Sequence, residues 1–104
     1  AEEMANRQQA RRQQMMTEVE KFKGMFSSLI YNNIQGEHKG NSCNITVHLT
    51  IEGYIKYVVV NSGDKIICGA TENAVYRVNK FPMSKNLDVN KQLVELNLTF
   101  APME

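Results

Sequence analysis

CNITVHLTIEGYIKYVVVNSGDKIIC, residues 43–68, is the stretch whose reading decides the fold. Ile45, Val47, Leu49 and Ile51 alternate with Asn44, Thr46, His48 and Thr50, so this strand buries one face and wets the other. Glu52-Gly53 reads as a short hairpin turn. The second strand, YIKYVVV over 54–60, is apolar on both faces apart from Lys56. That pattern suits a strand in mid-sheet, or one whose outer face is partly covered. Asn61-Ser62-Gly63 ends it, and Asp64 or Ser62 caps the helix that follows.

On the N-terminal side, Met15, Val19, Phe22, Phe26, Leu29 and Ile30 recur at three- and four-residue steps, with Met16 and Met25 beside them. They form the apolar stripe of a long helix. Before Met15 that stripe is nearly absent, so residues 1–14 read as the end of a longer solvated helix and 15–104 as one domain. Gly36 supplies a C-terminal stop, and EHKGNS is a loop.

On the C-terminal side, Ile67, Ala70, Ala74, Val78 and Phe81 share one helical face, and Pro82 ends that helix. MSKNLDVN is a connection with room for a short helical turn. Val94, Leu96, Leu98 and Phe100 then alternate with Glu95, Asn97 and Thr99 in a last strand closed by Pro102. The expectation is an α+β fold, α-β-β-α-β, with a three-stranded antiparallel sheet and helices packed on one face.

A length of 104 residues suits one domain with a modest core. A net charge of +1 implies neither a nucleic acid nor an anionic membrane as partner. No apolar run approaches the ~20 residues needed to cross a bilayer. The chain opens on AEEMANRQQARRQQMM, with neither initiator Met nor signal-peptide pattern, and is expected to be a piece of a longer protein.

Cys43 shares the parity of Ile45 and Val47, so it points toward the helix-covered face. Cys68 lies one turn into the second helix, on the flank of its apolar stripe. The two are expected to face each other across the sheet–helix interface, while their Cα separation is not fixed by sequence. A zinc site would have to draw on Cys43, Cys68, His38 and His48. His48 and Cys43 point to opposite faces of one strand, and no CxxC or HxxxH pair pre-organises a metal. The same parity denies Cys43 a neighbouring base for nucleophilic work. A structural disulfide is the expectation.

No GxSxG, HExxH or glycine-rich phosphate loop occurs. Ser62-Gly63-Asp64-Lys65 reads as turn and cap, not as an anion site. The methionines read as core filler. Double-stranded RNA binding would want clustered Lys and Arg, whereas the basic residues here are scattered. Neither cofactor, small-molecule substrate, nucleic acid nor catalysis is expected.

Gly40-Asn41-Ser42-Cys43, GDKIICGATENAV at 63–75, VNKFPMSK at 78–85 and LNLTFAPME at 96–104 together resemble the C-terminal, periplasmic domain III family of TolA, a Gram-negative envelope protein. The likeness spans roughly residues 15 to 104. Ser84 replaces a second proline common in relatives and Asn41 a common lysine, both in loops. The resemblance implies the TolA/TonB C-terminal-like fold, a paired Cys43 and Cys68, and a non-catalytic periplasmic domain on an inner-membrane-anchored stalk. It also implies protein partners: TolB and the lipoprotein Pal, with TolQ and TolR engaged through upstream segments. Filamentous phage coat protein and certain colicins are further partners implied by the family.

The last strand, reached by a helical crossover, is expected at a sheet edge, where its unpaired backbone groups can take a partner's strand. The residues placed there are Leu93, Val94, Glu95, Leu96, Asn97, Leu98, Thr99 and Phe100. A competing class is a secreted cystatin-like protease inhibitor, but the Glu52-Gly53 turn is short and lacks a Gln-Val-Gly type of wedge loop.

Overall fold

The alternating stretch that begins at Cys43 becomes strand β1 (Cys43–Leu49), in which buried and half-buried residues alternate without interruption. In the computed structural model, residues 2–38 and 40–101 are described, with side chains from residue 16 onward. The full order is α1 (Glu2–Asn33), β1, β2 (Ile55–Gly63), α2 (Lys65–Val78), α3 (Leu87–Leu93) and β3 (Glu95–Phe100). Both sheet pairings are antiparallel and the strand order is β2-β1-β3. The α+β architecture with its helices on one face is as the sequence led us to expect. Met4, Met15 and Pro102 fall outside the described side chains.

β1, not β2, sits in mid-sheet. The apolar outer residues of β2 misled because β-branched and aromatic side chains suit an exposed strand as well as a buried one. Tyr57 and Val59 remain 50% and 41% exposed, so the outer face of this edge strand is not covered. β2 does not stop before Asn61-Ser62-Gly63 but runs through these residues and ends at Gly63. Ser62 and Gly63 pair with Asn44 and Cys43. Ile51 lies in the turn, where Gly53 N–H donates to the Thr50 carbonyl at 3.0 Å and Thr50 Oγ1 accepts from Tyr54 N–H at 3.0 Å.

Asp64 caps α2 by accepting from the Ile66 and Ile67 amides. The helix stops at Val78, three residues before Phe81, because Asn79 takes φ +68 and Lys80 bridges to Tyr54. Phe81 N–H donates to the Gly53 carbonyl instead. Its ring still reaches the core, with its centroid 4.9 Å from that of Phe26. The buried face of α2 is Ile67, Cys68, Thr71, Ala74 and Val75, so Ala70 and Val78 are only partly covered.

The turn expected within MSKNLDVN is a helix of its own, α3. Asn86 caps it, and Val89 and Leu93 at i,i+4 are fully buried. Asn90 is buried but paired through both ends of its amide, to the Ser84 amide at 2.8 Å and carbonyl at 2.9 Å. From α1 come Val19, Phe26 and Ile30, with Phe22 and Leu29 half-covered. Met16 and Met25 are 65% and 38% exposed, so they are not core filler. Their stripe lies at the margin of the helix face that meets the sheet.

The disulfide is formed: Cys43 and Cys68 have Cα atoms 5.2 Å apart, inside the bridging range. Loop-closure entropy assigns it roughly 3–4 kcal/mol. A Cys43→Ser, Cys68→Ser double variant is expected to lose that much, read as a lowered urea midpoint. An unmoved midpoint would show the bridge to be idle.

Gly53, at φ +99, would aim a Cβ at the carbonyl of Phe81 and approach Met83 Cγ to 2.9 Å. Gly53→Ala should therefore cost at least about 2 kcal/mol. Gly24→Ala, in a helix with open space around it, should instead gain about 0.5–1 kcal/mol. Parallel denaturation of the two variants gives opposite shifts if this account is right.

Candidate functional site

Strand β3 pairs with β1 along one side only, through six consecutive residue pairs from Cys43↔Phe100 to His48↔Glu95. Its core-facing residues are Leu96, Leu98 and Phe100, opposite Val47, Ile45 and Cys43. Glu95, Asn97 and Thr99 stand on the outer face, opposite His48, Thr46 and Asn44. Of the expected site residues, Leu93 is excluded from the edge. It belongs to α3 and is 0% exposed. Val94 is the C-cap of α3, and its carbonyl already accepts from Leu49 N–H at 2.8 Å.

That last hydrogen bond sets the phase of the ladder. Antiparallel pairs alternate between hydrogen-bonded and non-bonded, so Leu96, Leu98 and Phe100 follow Val94 in bonding to β1. The backbone groups of Glu95, Asn97 and Thr99 then point away from β1, to the open edge. The edge has neither bulge nor slip across its six pairs.

The opposite edge differs. β2 is longer but irregular, with register shifts against β1 between Asn44 and Ile45 and between His48 and Leu49. The unpaired residues at these shifts are Asn61 and Lys56. Bulges and an edge lysine are the usual devices that discourage strand addition. Sequence reasoning did not find this second edge, because an apolar strand gives no sign of whether both of its neighbours exist.

The outer sheet face carries an ordered polar grid that sequence reasoning also missed. The Asn44 amide donates to Asn97 Oδ1 and Thr99 Oγ1, both at 2.9 Å. The Asn97 amide returns bonds to Asn44 Oδ1 at 3.0 Å and Thr46 Oγ1 at 3.2 Å. From β2, the Asn61 amide donates to Asn44 Oδ1 at 2.9 Å and Thr46 Oγ1 at 2.8 Å. The outward parity of Asn44 and Asn97 was legible, but their meeting depends on cross-strand register. His48 stacks on Tyr57 at 4.2 Å, and its Nε2 lies 3.9 Å from Glu95 Oε1. The grid holds the outer side chains of the β3 edge in fixed positions.

Beside the end of β3 a groove of about 410 Å³ separates it from α1, lined by Ser27, Ser28, Tyr31, Asn32, Thr99 and Phe100. Side chains of an added strand that point to the helix side would enter it. The residues considered for zinc or thiol chemistry are not brought together. Both thiols are joined, His38 is buried with its Nε2–H donating to the Gln35 carbonyl at 2.7 Å, and His48 is on the far face of the sheet. No helix of the described residues is long and apolar enough to cross a membrane.

The grid makes its own prediction. Asn44→Ala removes the central member and is expected to cost about 1 kcal/mol, since these bonds are exposed. Thermal denaturation with the Asn97→Ala and double variants measures it. Additive losses would mean that the two amides do not support each other.

A family model described as TolA C-terminal matches residues 7–100. A solved TolA C-terminal domain, studied for its protein–protein interactions and hydrophobic cavity, is 33% identical, with a TM-score of 0.68 over 89% of this chain and 98% of that one. A solution structure of TolAIII bound to a peptide from the N-terminus of TolB is 18% identical, with a TM-score of 0.66 over 76% of this chain and 70% of that one. At that identity the second likeness speaks for the fold alone. No curated protein matches the chain.

Proposed function

This chain belongs to the TolA C-terminal family, and we propose that it is a non-catalytic, periplasmic binding domain of the Tol–Pal system that takes its partner as an added strand along β3. The observation that carries this reading is the asymmetry of the two sheet edges. β3 offers an unbroken register with the backbone of Glu95, Asn97 and Thr99 turned outward, while β2 is bulged. Leu96, Leu98 and Phe100 belong to the same strand but direct their backbone bonds to β1. Main-chain pairing supplies the affinity, and the polar grid with the α1 groove supplies the choice of sequence.

TolB is the partner we place there first, because a relative of the same fold binds a peptide from the N-terminus of TolB. Pal, filamentous phage coat protein and colicins are further partners in this reading. The position of the chain at the end of an inner-membrane-anchored stalk is part of the same proposal. So is a boundary near residue 15. The first described side chain that reaches the core is Val19, although α1 runs unbroken from Glu2. A linked domain of this kind transmits force from the TolQ–TolR side to outer-membrane partners by binding, with no bond chemistry.

Asn97→Pro tests the reading, because the lost N–H faces the open edge and the β1 ladder keeps all its bonds, and Asn97→Ala beside it isolates the loss of the grid amide. A peptide from the N-terminus of TolB is titrated by calorimetry against the oxidised chain, against Asn97→Pro and against Val58→Pro on the other edge, where the N–H opposite Val47 likewise faces away from β1. Near-UV circular dichroism confirms that each variant is folded. The expected result is loss of binding in Asn97→Pro alone. Unchanged affinity in a folded Asn97→Pro would overturn the assignment of the edge.

A further inference from the structure

A second surface lies away from β3, where α2 passes over the loop that follows α1. It is a groove of about 650 Å³, lined by Gln35, His38, Lys65, Ile66, Gly69 and Arg77. Three features set it apart from ordinary surface. The loop wall is built and held. Arg77 donates to the Asn33 carbonyl at 2.9 Å and to Gln35 Oε1 at 3.1 Å, while His38 folds back on the Gln35 carbonyl. Gly36, at φ +90, makes that fold possible, since a Cβ there would stand 3.3 Å from His38 Nε2.

The floor is bare helix. Gly69 weakens α2 relative to Ala, because glycine loses the most backbone freedom in a helix. A Cβ at that position would meet nothing within 4 Å, so nothing in this chain's own packing asks for glycine. Next to it Ile66 leaves 73% of its surface in water, the most exposed large hydrophobic side chain among the described residues.

The charge is unbalanced. Lys65 stands at one end of the groove and Arg77 at the other, and both bonds of Arg77 go to neutral acceptors. Glu37 is the one carboxylate in the lining, and it makes no ion pair among the described residues. Twelve residues of helix set the Cα atoms of Lys65 and Arg77 roughly 18 Å apart along the axis. An extended peptide covers that distance in about five or six residues.

We propose that this groove is a second docking site, for a short extended acidic segment of a partner protein. The segment carries carboxylates about six residues apart, for Lys65 and Arg77, and an apolar residue between them for Ile66 and the open floor at Gly69. α2 packs over β1 and β2, on the far side of β1 from the open edge of β3. The domain therefore holds two partners at once, one by strand addition and one by charge and apolar contact.

The probe is a heptapeptide blocked at both ends, with glutamate first and last, leucine in the middle and serine or alanine elsewhere. It is titrated into the full oxidised chain labelled with nitrogen-15. Amide shifts are expected at Ile66, Gly69 and Arg77, and replacing both glutamates by glutamine should weaken binding by about tenfold or more. Raising the salt should weaken it too. Gly69→Leu fills the floor at a position where a Cβ meets nothing within 4 Å, and should abolish binding. Lys65→Gln, at an exposed position with no ion pair among the described residues, should weaken it about fivefold. Asn97→Pro should leave it unchanged, which separates this site from the β3 reading. No shift at millimolar peptide, equal binding of the glutamine peptide, or full affinity in folded Gly69→Leu would each overturn the proposal.

Discussion

The joint made by Cys43, Gly63 and Cys68 is the constraint on which the rest of this structure depends. Here the first residue of β1, the last of β2 and the first turn of α2 occupy one spot. Cys43 pairs across the sheet with Gly63, and the disulfide leaves from the same residue toward the helix. Only glycine permits this. At φ +129, a Cβ on Gly63 would lie 2.7 Å from Cys43 Cα and 3.1 Å from Cys68 Sγ. Asp64, the next residue, caps α2 and donates its own N–H to the Ser42 carbonyl at 3.1 Å. Turn, cap and bridge are a single packing solution, and it fixes the helix layer on the central strand.

Because β1 is held in the middle, both other strands become edges, and they differ in regularity. Bulges and Lys56 make β2 a poor template, though its apolar side chains are the more conspicuous. β3 is polar on its outer face and looks unremarkable in sequence, yet it is regular and its outward amides are free to pair. Main-chain geometry, not hydrophobicity, distinguishes the two edges. The asparagine grid adds order at little cost, since its members are solvated and each bond is worth ~1 kcal/mol at most.

Legibility in the sequence followed how local each determinant is. The β1 alternation, the Asp64 cap and the α1 stripe are set by neighbours within a few residues, and each was readable. The end of α2 was not, because Lys80 and Phe81 pair with Tyr54 and Gly53, more than twenty residues earlier in the chain. α3 was half legible. Its cap Asn86 and the Val89–Leu93 spacing were visible, but seven residues make a marginal helix without the tertiary burial of Val89 and Leu93. Leu93 was read into the last strand because alternation and helical spacing coincide over so short a run.

By itself the sequence determined the class of the protein. Period-two and period-3.6 patterns fixed an α+β domain, and the parity of Cys43 and His48 turned a pair of thiols from a chemical site into a clamp. The motifs at 40–43, 63–75, 78–85 and 96–104 pointed to the TolA C-terminal family. Tertiary structure alone decided which strand is central, which backbone groups of β3 face outward, and that Lys65 and Arg77 flank one groove with Gly69 on its floor. These depend on strand order, hydrogen-bond phase and the packing of distant segments. Sequence periodicity is blind to all three, because it reports which face of an element is buried and never what lies beside it.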